Sequence, residues 1–359
     1  MKAVILAGGE GTRLRPLTLS LPKPAAPILD RPLLEYQLAL LRDAGVTDVV
    51  FCLGYRPEKI CETFGDGRDF GVTLRYNVEE TPLGTGGAVR NAETLLDDTT
   101  VVLNGDVLAD IDLTRVIADH RQRGAQATIV LTPVPDPSSF GLVETDDRGR
   151  VCRFIEKPDA SQITVNTINA GLYVLQSSTL GLIPPCCNHS IERGFFPNLL
   201  ARGDLVMAHV HDGYWIDIGT PAKYLQAHRD ILHGRLPVDI RAEPSRGGWI
   251  ASSADVASEA VLDGPFYIGP GCVVPAGARV GPDTSLVADV LLAAGAVVEG
   301  SVVWPRAHLG EHTSVQGALV GPGVVIAPHA RVASGTLLGE GSCLSPYSST
   351  SIPHAGSNR

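Results

Sequence analysis

Three short stretches of this chain pair residue types that could do chemistry on phosphates. The first follows an apolar run of strand length, Met1 to Ala7, and reads Gly8-Gly9-Glu10-Gly11-Thr12-Arg13-Leu14-Arg15, with a lysine held between prolines soon after at Pro22-Lys23-Pro24. Glycine lets a ligand approach the backbone amides closely, and successive inward-pointing N–H groups make an anion nest. Leu6, Ala7, Gly8, Gly9, Gly11 and Thr12 supply that backbone, while Arg13 and Lys23 add charge where phosphates would lie. The dinucleotide fingerprint would need glycine at Leu14, and the Walker loop would need G-K-[ST], so neither applies. The second stretch is a pair of aspartates. Asp106 ends a buried-strand pattern, and Asp217 sits in a turn between Trp215 and Gly219. Two carboxylates beside a phosphate loop suit Mg²⁺, which prefers one or two carboxylates plus substrate phosphates. The third is Glu156-Lys157 before Pro158, an acid and a base on adjacent, opposite-facing strand positions.

Gly-Gly-x-Gly-Thr-Arg-Leu followed by x-Pro-Lys-Pro resembles the signature of the sugar-1-phosphate nucleotidyltransferases, the nucleotide-sugar pyrophosphorylases. Further strings resemble that family's motifs in the family's order: Asn104-Gly105-Asp106, Phe154-Ile155-Glu156-Lys157-Pro158, Asn169-Ala170-Gly171 and Trp215-x-Asp217-Ile218-Gly219. The resemblance spans residues 1 to about 225. It implies that a sugar-1-phosphate oxygen attacks the α-phosphorus of a nucleoside triphosphate and pyrophosphate leaves. It implies Mg²⁺ on Asp106 and Asp217, Lys157 on the sugar phosphate, Glu156, Asn169, Gly171 and Gly141 at the sugar, and Arg13 and Lys23 on the departing pyrophosphate. Glu79 stands where thymidylyl members carry glutamine, and Pro82-Leu83-Gly84-Thr85-Gly86 resembles the guanylyl branch. A carboxylate can accept from both the N1–H and the 2-amino group of guanine. With its two-domain length, the chain is most similar to mannose-1-phosphate guanylyltransferases. Heptose-1-phosphate guanylyltransferases and glucose-1-phosphate uridylyl- or thymidylyltransferases are the alternatives, and Gly105 departs from the serine of many mannose enzymes.

The elements that must position these residues read as an α/β domain followed by a repeat. Apolar runs at Val49 to Leu53 and Thr100 to Asn104 alternate with helical patterns, including one after Asp30-Arg31-Pro32, one from Pro57 to Phe64, and one running from the second glycine loop through Leu96. This predicts a Rossmann-like, mainly parallel sheet with helices on both faces, ligands at the carboxyl ends of the strands, and an antiparallel extension over residues 127 to 175. The predicted domain runs from 1 to 235, with a linker over 236–253. Beyond it, aliphatic residues recur every six positions from Val256 to Leu286, then at Leu291, Val297, Val303, Leu309 and Val315, then from Val320 to Leu344. A hexapeptide repeat predicts a left-handed parallel β-helix over 254–345, with a flexible tail over 346–359.

Composition bounds the rest. At 359 residues and a formal net charge of −10, the chain lacks the basic surface of a nucleic-acid binder. Seven cysteines show neither C-x-x-C nor a zinc spacing, and read as buried thiols of a reducing compartment. With no signal-peptide pattern or membrane span, the expected setting is cytoplasmic, with no membrane partner and with homo-oligomers formed through the β-helix. Two rival classes are an acyl-CoA-dependent hexapeptide acyltransferase, with His308, His312, His329 and His354 as candidate bases, and a non-catalytic regulatory subunit. The intact Arg13, Lys23, Asp106, Lys157 and Asp217 argue against the second.

Overall fold

The structure, a computed structural model, describes residues 1–350. Compactness divides the chain into two units: Met1–Glu10 with Leu34–Ile216, and Gly11–Leu33 with everything from Asp217 onward. The signature loop after Glu10 therefore belongs with the C-terminal unit, although the sequence pattern groups it with residues 1–235.

The first unit is built on a nine-stranded sheet. Its parallel half sets Lys2–Leu6 between Asp48–Leu53 and Thr99–Asn104, with Val4 level with Val50 and Val102, and Thr73–Val78 beyond. Lys2–Leu6, Asp48–Leu53 and Thr99–Asn104 are covered on both faces, which is why they are apolar runs, whereas the edge strand Thr73–Val78 alternates between buried and exposed residues. Thr167–Gln176 joins the sheet antiparallel to Thr99–Asn104 and carries Gly141–Thr145 and Val151–Glu156 beyond it. Ala127–Pro133 pairs antiparallel with Thr167–Gln176 and parallel with Val206–Val210. The antiparallel extension is thus present. The helix expected through Leu96 is shorter: Gly84–Asn91 is helical, and a separate 3-10 turn covers Glu93–Leu95.

In the second unit, Thr220 caps the Pro221–Leu232 helix by accepting from the Lys223 backbone N–H at 3.3 Å, with proline at the first turn. The repeat forms three parallel sheets of two- and three-residue strands, stacked coil on coil, as a β-helix requires. Ile268 lies level with Leu286, Leu286 with Val303, and Val303 with Val320. The inward register differs from the sequence reading at one coil. Leu292 and Val298 point inward, not Leu291 and Val297, and Leu291 is 38% exposed. The hexad therefore runs unbroken to Val298, and the five-residue step falls between Val298 and Val303. In Leu291-Leu292 and Val297-Val298 two aliphatics stand side by side, so sequence alone does not say which faces in. Tyr347 and Thr350, read as tail, are bonded to the coil below through Pro328 and Arg331, while 351–359 lie outside the described residues.

All seven cysteines are free thiols, but only Cys52 and Cys272 are buried. Cys152, Cys186, Cys187 and Cys343 are exposed, against the expectation of buried thiols. Among the described residues no helix is long and apolar enough to cross a membrane.

Candidate active site

In the first unit the parallel strands deliver Leu6, Leu53 and Asn104 to one edge of the sheet. The turns beyond them interlock: Ala7 N–H donates to Cys52 O at 2.9 Å, Tyr55 N–H to Gly8 O at 3.3 Å, and Gly105 N–H to Leu6 O at 2.9 Å. A Cβ on Gly105 would lie 2.7 Å from the Leu6 carbonyl oxygen, so in this backbone a larger residue would push the turn before Asp106 away from Leu6. Gly8, Gly9, Glu79 and Asp106 are thereby brought to the same edge, where an open α/β sheet binds its ligand. Glu79 is half-buried, and its Oε2 accepts from the Leu83 backbone N–H at 3.0 Å. Burial raises its pKa above the usual glutamate value, and that hydrogen bond partly offsets the rise.

The Pro82–Gly87 loop has a structural load that its glycines also explain. Gly86 and Gly87 N–H groups both donate to His189 O, at 2.8 and 3.1 Å. The Thr85 hydroxyl donates to Glu192 at 2.8 Å and accepts from Ile191 N–H at 2.9 Å. Gly84 adopts φ +69° with the His189 carbonyl close by. What Pro82, Gly84 and Thr85 can offer a nucleotide is therefore backbone.

The residues expected at the sugar also gather. Gly141 pairs with Glu156 across two strands, and a Cβ on Gly141 would come within 3.0 Å of Glu156 Oε2. The Glu156 carboxyl is pushed up chiefly by burial and then by Glu192, and pulled back by Lys157 and Arg193. Lys157 stands exposed at φ +54°, its N–H donating to Phe140 O at 2.9 Å. A non-glycine residue in that conformation is strained, and such strain clusters at functional sites. Asn169 is committed to shaping the strand: it accepts from Gly171 N–H at 3.0 Å and donates to Tyr173 Oη at 2.7 Å, where the ladder slips register. Trp215 joins these segments. Its indole donates to Ala170 O at 2.9 Å, and its ring meets Phe140 edge-on at 5.6 Å.

In the second unit, Gly11 takes φ +62°, and a Cβ there would lie 3.2 Å from both Lys23 Cβ and Thr18 Cγ2. Thr18, fully buried, donates its hydroxyl to Gly11 O at 2.9 Å. The turn thus folds Lys23 back beside Gly11, with Thr12 and Arg13 exposed. Asp217 Oδ1 accepts from Lys223 Nζ, and a Cβ on Gly219 would lie 2.8 Å from Asp217 Oδ2 and 2.9 Å from Arg13 Nη2. Arg13 and Lys223 flank one carboxylate.

Sequence reasoning missed Thr18, Lys223, Glu192 and the buried Gln37, whose amide binds the strand end before Asp106. Lys223, a helix residue reaching back to Asp217, leaves no short-range signal. Each aspartate by itself is a donor type that suits Mg²⁺: Asp106 in the first unit and Asp217 in the second are partly exposed carboxylates, and Asp217 accepts from Lys223. Among the described residues no group of three or more His, Cys, Asp or Glu is placed to hold a metal ion.

A nucleotidyl transferase model matches residues 2–234, and a GMPPB C-terminal domain model matches residues 250–346. The chain is 40% identical over 303 residues to a mannose-1-phosphate guanylyltransferase of Mycobacterium tuberculosis, covering 84% of this chain and 82% of that one. It is 34% identical over 330 residues to a UTP–glucose-1-phosphate uridylyltransferase of Synechocystis, covering 86% and 84%. A solved structure from Bacillus anthracis, described as a glucose-1-phosphate thymidylyltransferase in complex with sucrose, superposes with a TM-score of 0.60 over 67% of this chain and 96% of that one. At 24% identity it supports the fold alone. With its catalytic segment matched almost end to end and its relatives matched across both segments, the chain belongs to the nucleotidyl transferase family.

Proposed function

We propose that the chain transfers a guanylyl group from GTP to a sugar 1-phosphate, mannose 1-phosphate first among them, releasing pyrophosphate. The observation that carries this reading is the likeness to the Mycobacterium tuberculosis guanylyltransferase over 84% of this chain, with Arg13, Lys23 and Lys157 of the signature strings in place. The Synechocystis relative, matched over a similar share of the chain, supports glucose 1-phosphate and UTP as the second reading.

Both reactants are polyanions, so positioning and charge neutralisation do most of the work. Lys157 holds the sugar phosphate, whose oxygen is already ionised at neutral pH and needs no general base. Arg13 and Lys23 neutralise the charge that builds on the leaving pyrophosphate. Backbone amides of Gly8, Gly9, Gly11 and Thr12 cradle the triphosphate. Glu156, its pKa raised by burial, and the backbone of Gly141 and Gly171 orient the sugar hydroxyls. Asp106 and Asp217 would hold Mg²⁺, which when bound supplies Lewis-acid polarisation of phosphate oxygens. The β-helix assembles the chain into a homo-oligomer.

Pyrophosphate release, measured with GTP, UTP, dTTP, CTP and ATP against mannose, glucose and heptose 1-phosphates, tests the reading. Turnover should be fastest with GTP and mannose 1-phosphate. Fastest turnover with UTP or dTTP and glucose 1-phosphate replaces this reading with the second, and thiol release from acyl-CoA without any pyrophosphate would sink both.

A further inference from the structure

The Gly11–Leu33 segment, which carries Arg13 and Lys23, is fastened to the rest of its own unit at three points. Near its start Pro16 lies against the β-helix coil at Gly339, where a Cβ would come within 3.0 Å of Pro16 Cβ. Near its end Asp30 Oδ2 accepts from the Arg241 backbone N–H at 2.6 Å, and Arg31 donates to Asp239 O. Between these points the Pro27 carbonyl accepts twice, from the Tyr224 hydroxyl and from His228 Nε2 at 3.2 Å.

Each donor is in turn held by the β-helix. The Tyr224 hydroxyl accepts from Trp304 Nε1 at 3.0 Å, and His228 Nδ1 lies 3.0 Å from Ser285 Oγ. Tyr224, His228, Trp304 and Ser285 are each at most 2% exposed. A carbonyl can only accept, so His228 Nε2 carries the proton, and bare Nδ1 accepts from the Ser285 hydroxyl. Burial holds this imidazole neutral, its pKa pushed down to about 3 against a pull upward from the Pro27 carbonyl. The relay therefore keeps one tautomer throughout the physiological range.

Burying this many polar groups is unfavourable unless each is paired, and an apolar contact would join the same surfaces with less to satisfy. Pairing fixes one placement of Pro27, and Pro27 lies four residues beyond Lys23, across a 3-10 turn closed by Ala26 N–H to Lys23 O at 2.9 Å. We propose that Trp304, Tyr224, His228 and Ser285 are positioning residues for triphosphate binding, through which the β-helix sets the pose of the loop bearing Lys23. The inference rests on the reading above, in which Arg13 and Lys23 hold the triphosphate, and it gives the β-helix a part beyond assembly.

The test uses the full chain with Trp304→Phe, which keeps an aromatic side chain and removes the N–H, and Ser285→Ala, which removes the hydroxyl with almost no change of volume. Val332→Ala is the control, since it loosens the β-helix interior without touching the relay. KM is measured separately for GTP and for the sugar 1-phosphate, and GTP binding is measured alone by calorimetry. Both relay variants should weaken GTP about three- to tenfold, the range of one neutral hydrogen bond, and leave the sugar-phosphate KM within about twofold. The control should lower the melting temperature and move neither constant. GTP constants equal to wild type, or both constants moving together in the relay variants, overturn the proposal. A wild type that turns over no triphosphate overturns the functional reading as well, whereas an active wild type with unmoved variants overturns this inference alone.

Discussion

Gln37 holds Asn104: its side-chain amide donates to the Asn104 carbonyl at 2.8 Å and, with its second hydrogen, to the Val107 carbonyl at 2.9 Å. Those two carbonyls bracket Gly105-Asp106. Gln37 is 3% exposed, and its Oε1 has no hydrogen-bond partner, so the two carbonyls alone set the amide's orientation. Gln37 lies in the Leu33–Asp43 helix, and only an amide NH₂ can serve two carbonyls at once from there without bringing a charge.

Gln37→Leu should therefore strand two buried acceptors and loosen the Asp106 turn. The expected stability cost is about 1–3 kcal/mol. The specific signature is a rise in the Mg²⁺ concentration needed for half-maximal turnover, with the sugar-phosphate KM nearly unchanged. A variant that loses stability but keeps its Mg²⁺ dependence would reduce Gln37 to a packing residue.

Gly219 sits where any side chain would strike both an acid and a base. A Cβ there comes within 2.8 Å of Asp217 Oδ2 and 2.9 Å of Arg13 Nη2, closer than real Cβ contacts allow. Gly219→Ala should displace the exposed Arg13 side chain first and so spare the fold. Turnover should fall by about tenfold or more, as expected when a catalytic group moves by even a fraction of its contact distance. Thermal melting and initial rates decide it: a variant as active as wild type would remove Arg13 and Asp217 from the reaction.

The parts of this molecule that were legible in the sequence are those with short-range signals. The apolar runs at Ile5, Val50 and Val102 announce a parallel sheet, and the hexads from Val256 announce coils. The register slip at Leu291 arose because two adjacent aliphatics carry no directional information until Val273 pairs with Leu291 and places Leu292 inside. The glycines of the Gly84–Gly87 loop read as ligand-facing, but much of their requirement comes from His189 and Cys187, a hundred residues away. The same holds for Pro27, whose partners Tyr224 and His228 are distant in sequence. Motif chemistry is local, whereas the packing that holds a motif still is not.

His228 also sets a pH dependence. Its pKa is 6.5 ordinarily and about 3 in the folded chain, so below pH 6.5 the unfolded state binds a proton that the folded state refuses. Stability from this group is fully present above pH 6.5 and falls by about 1.4 kcal/mol per pH unit as pH drops toward 3. His120, pushed down to about 4 by burial, acts in the same direction. His228→Gln keeps an N–H donor and cannot titrate. Denaturant unfolding from pH 7.5 to 4.5 should show a shallower decline in that variant, with His120 common to both proteins. Parallel curves would mean that His228 is not buried neutral.

Glu79 tests base selection most sharply. One of its oxygens is committed, since Oε2 accepts from Leu83 N–H and so ties the Pro82–Gly84 loop to the end of the Thr73–Val78 strand. Oε1 faces the Gly8 turn, 3.8 Å from where a Cβ on Gly8 would stand, and is the oxygen left to accept from guanine. Two substitutions separate the roles. Glu79→Gln keeps an acceptor for Leu83 and turns an amide NH₂ toward the base, where it meets the donor edge of guanine. GTP should lose about 1–3 kcal/mol, roughly five- to 150-fold in kcat/KM, while UTP or dTTP holds steady or improves. Glu79→Ala removes the loop anchor as well, and should depress every triphosphate alike. Steady-state kinetics with GTP, UTP and dTTP on both variants distinguish the two effects. If Glu79→Gln leaves the preference for GTP intact, Glu79 anchors the loop and nothing more, and the backbone of Leu83 and Gly84 selects the base.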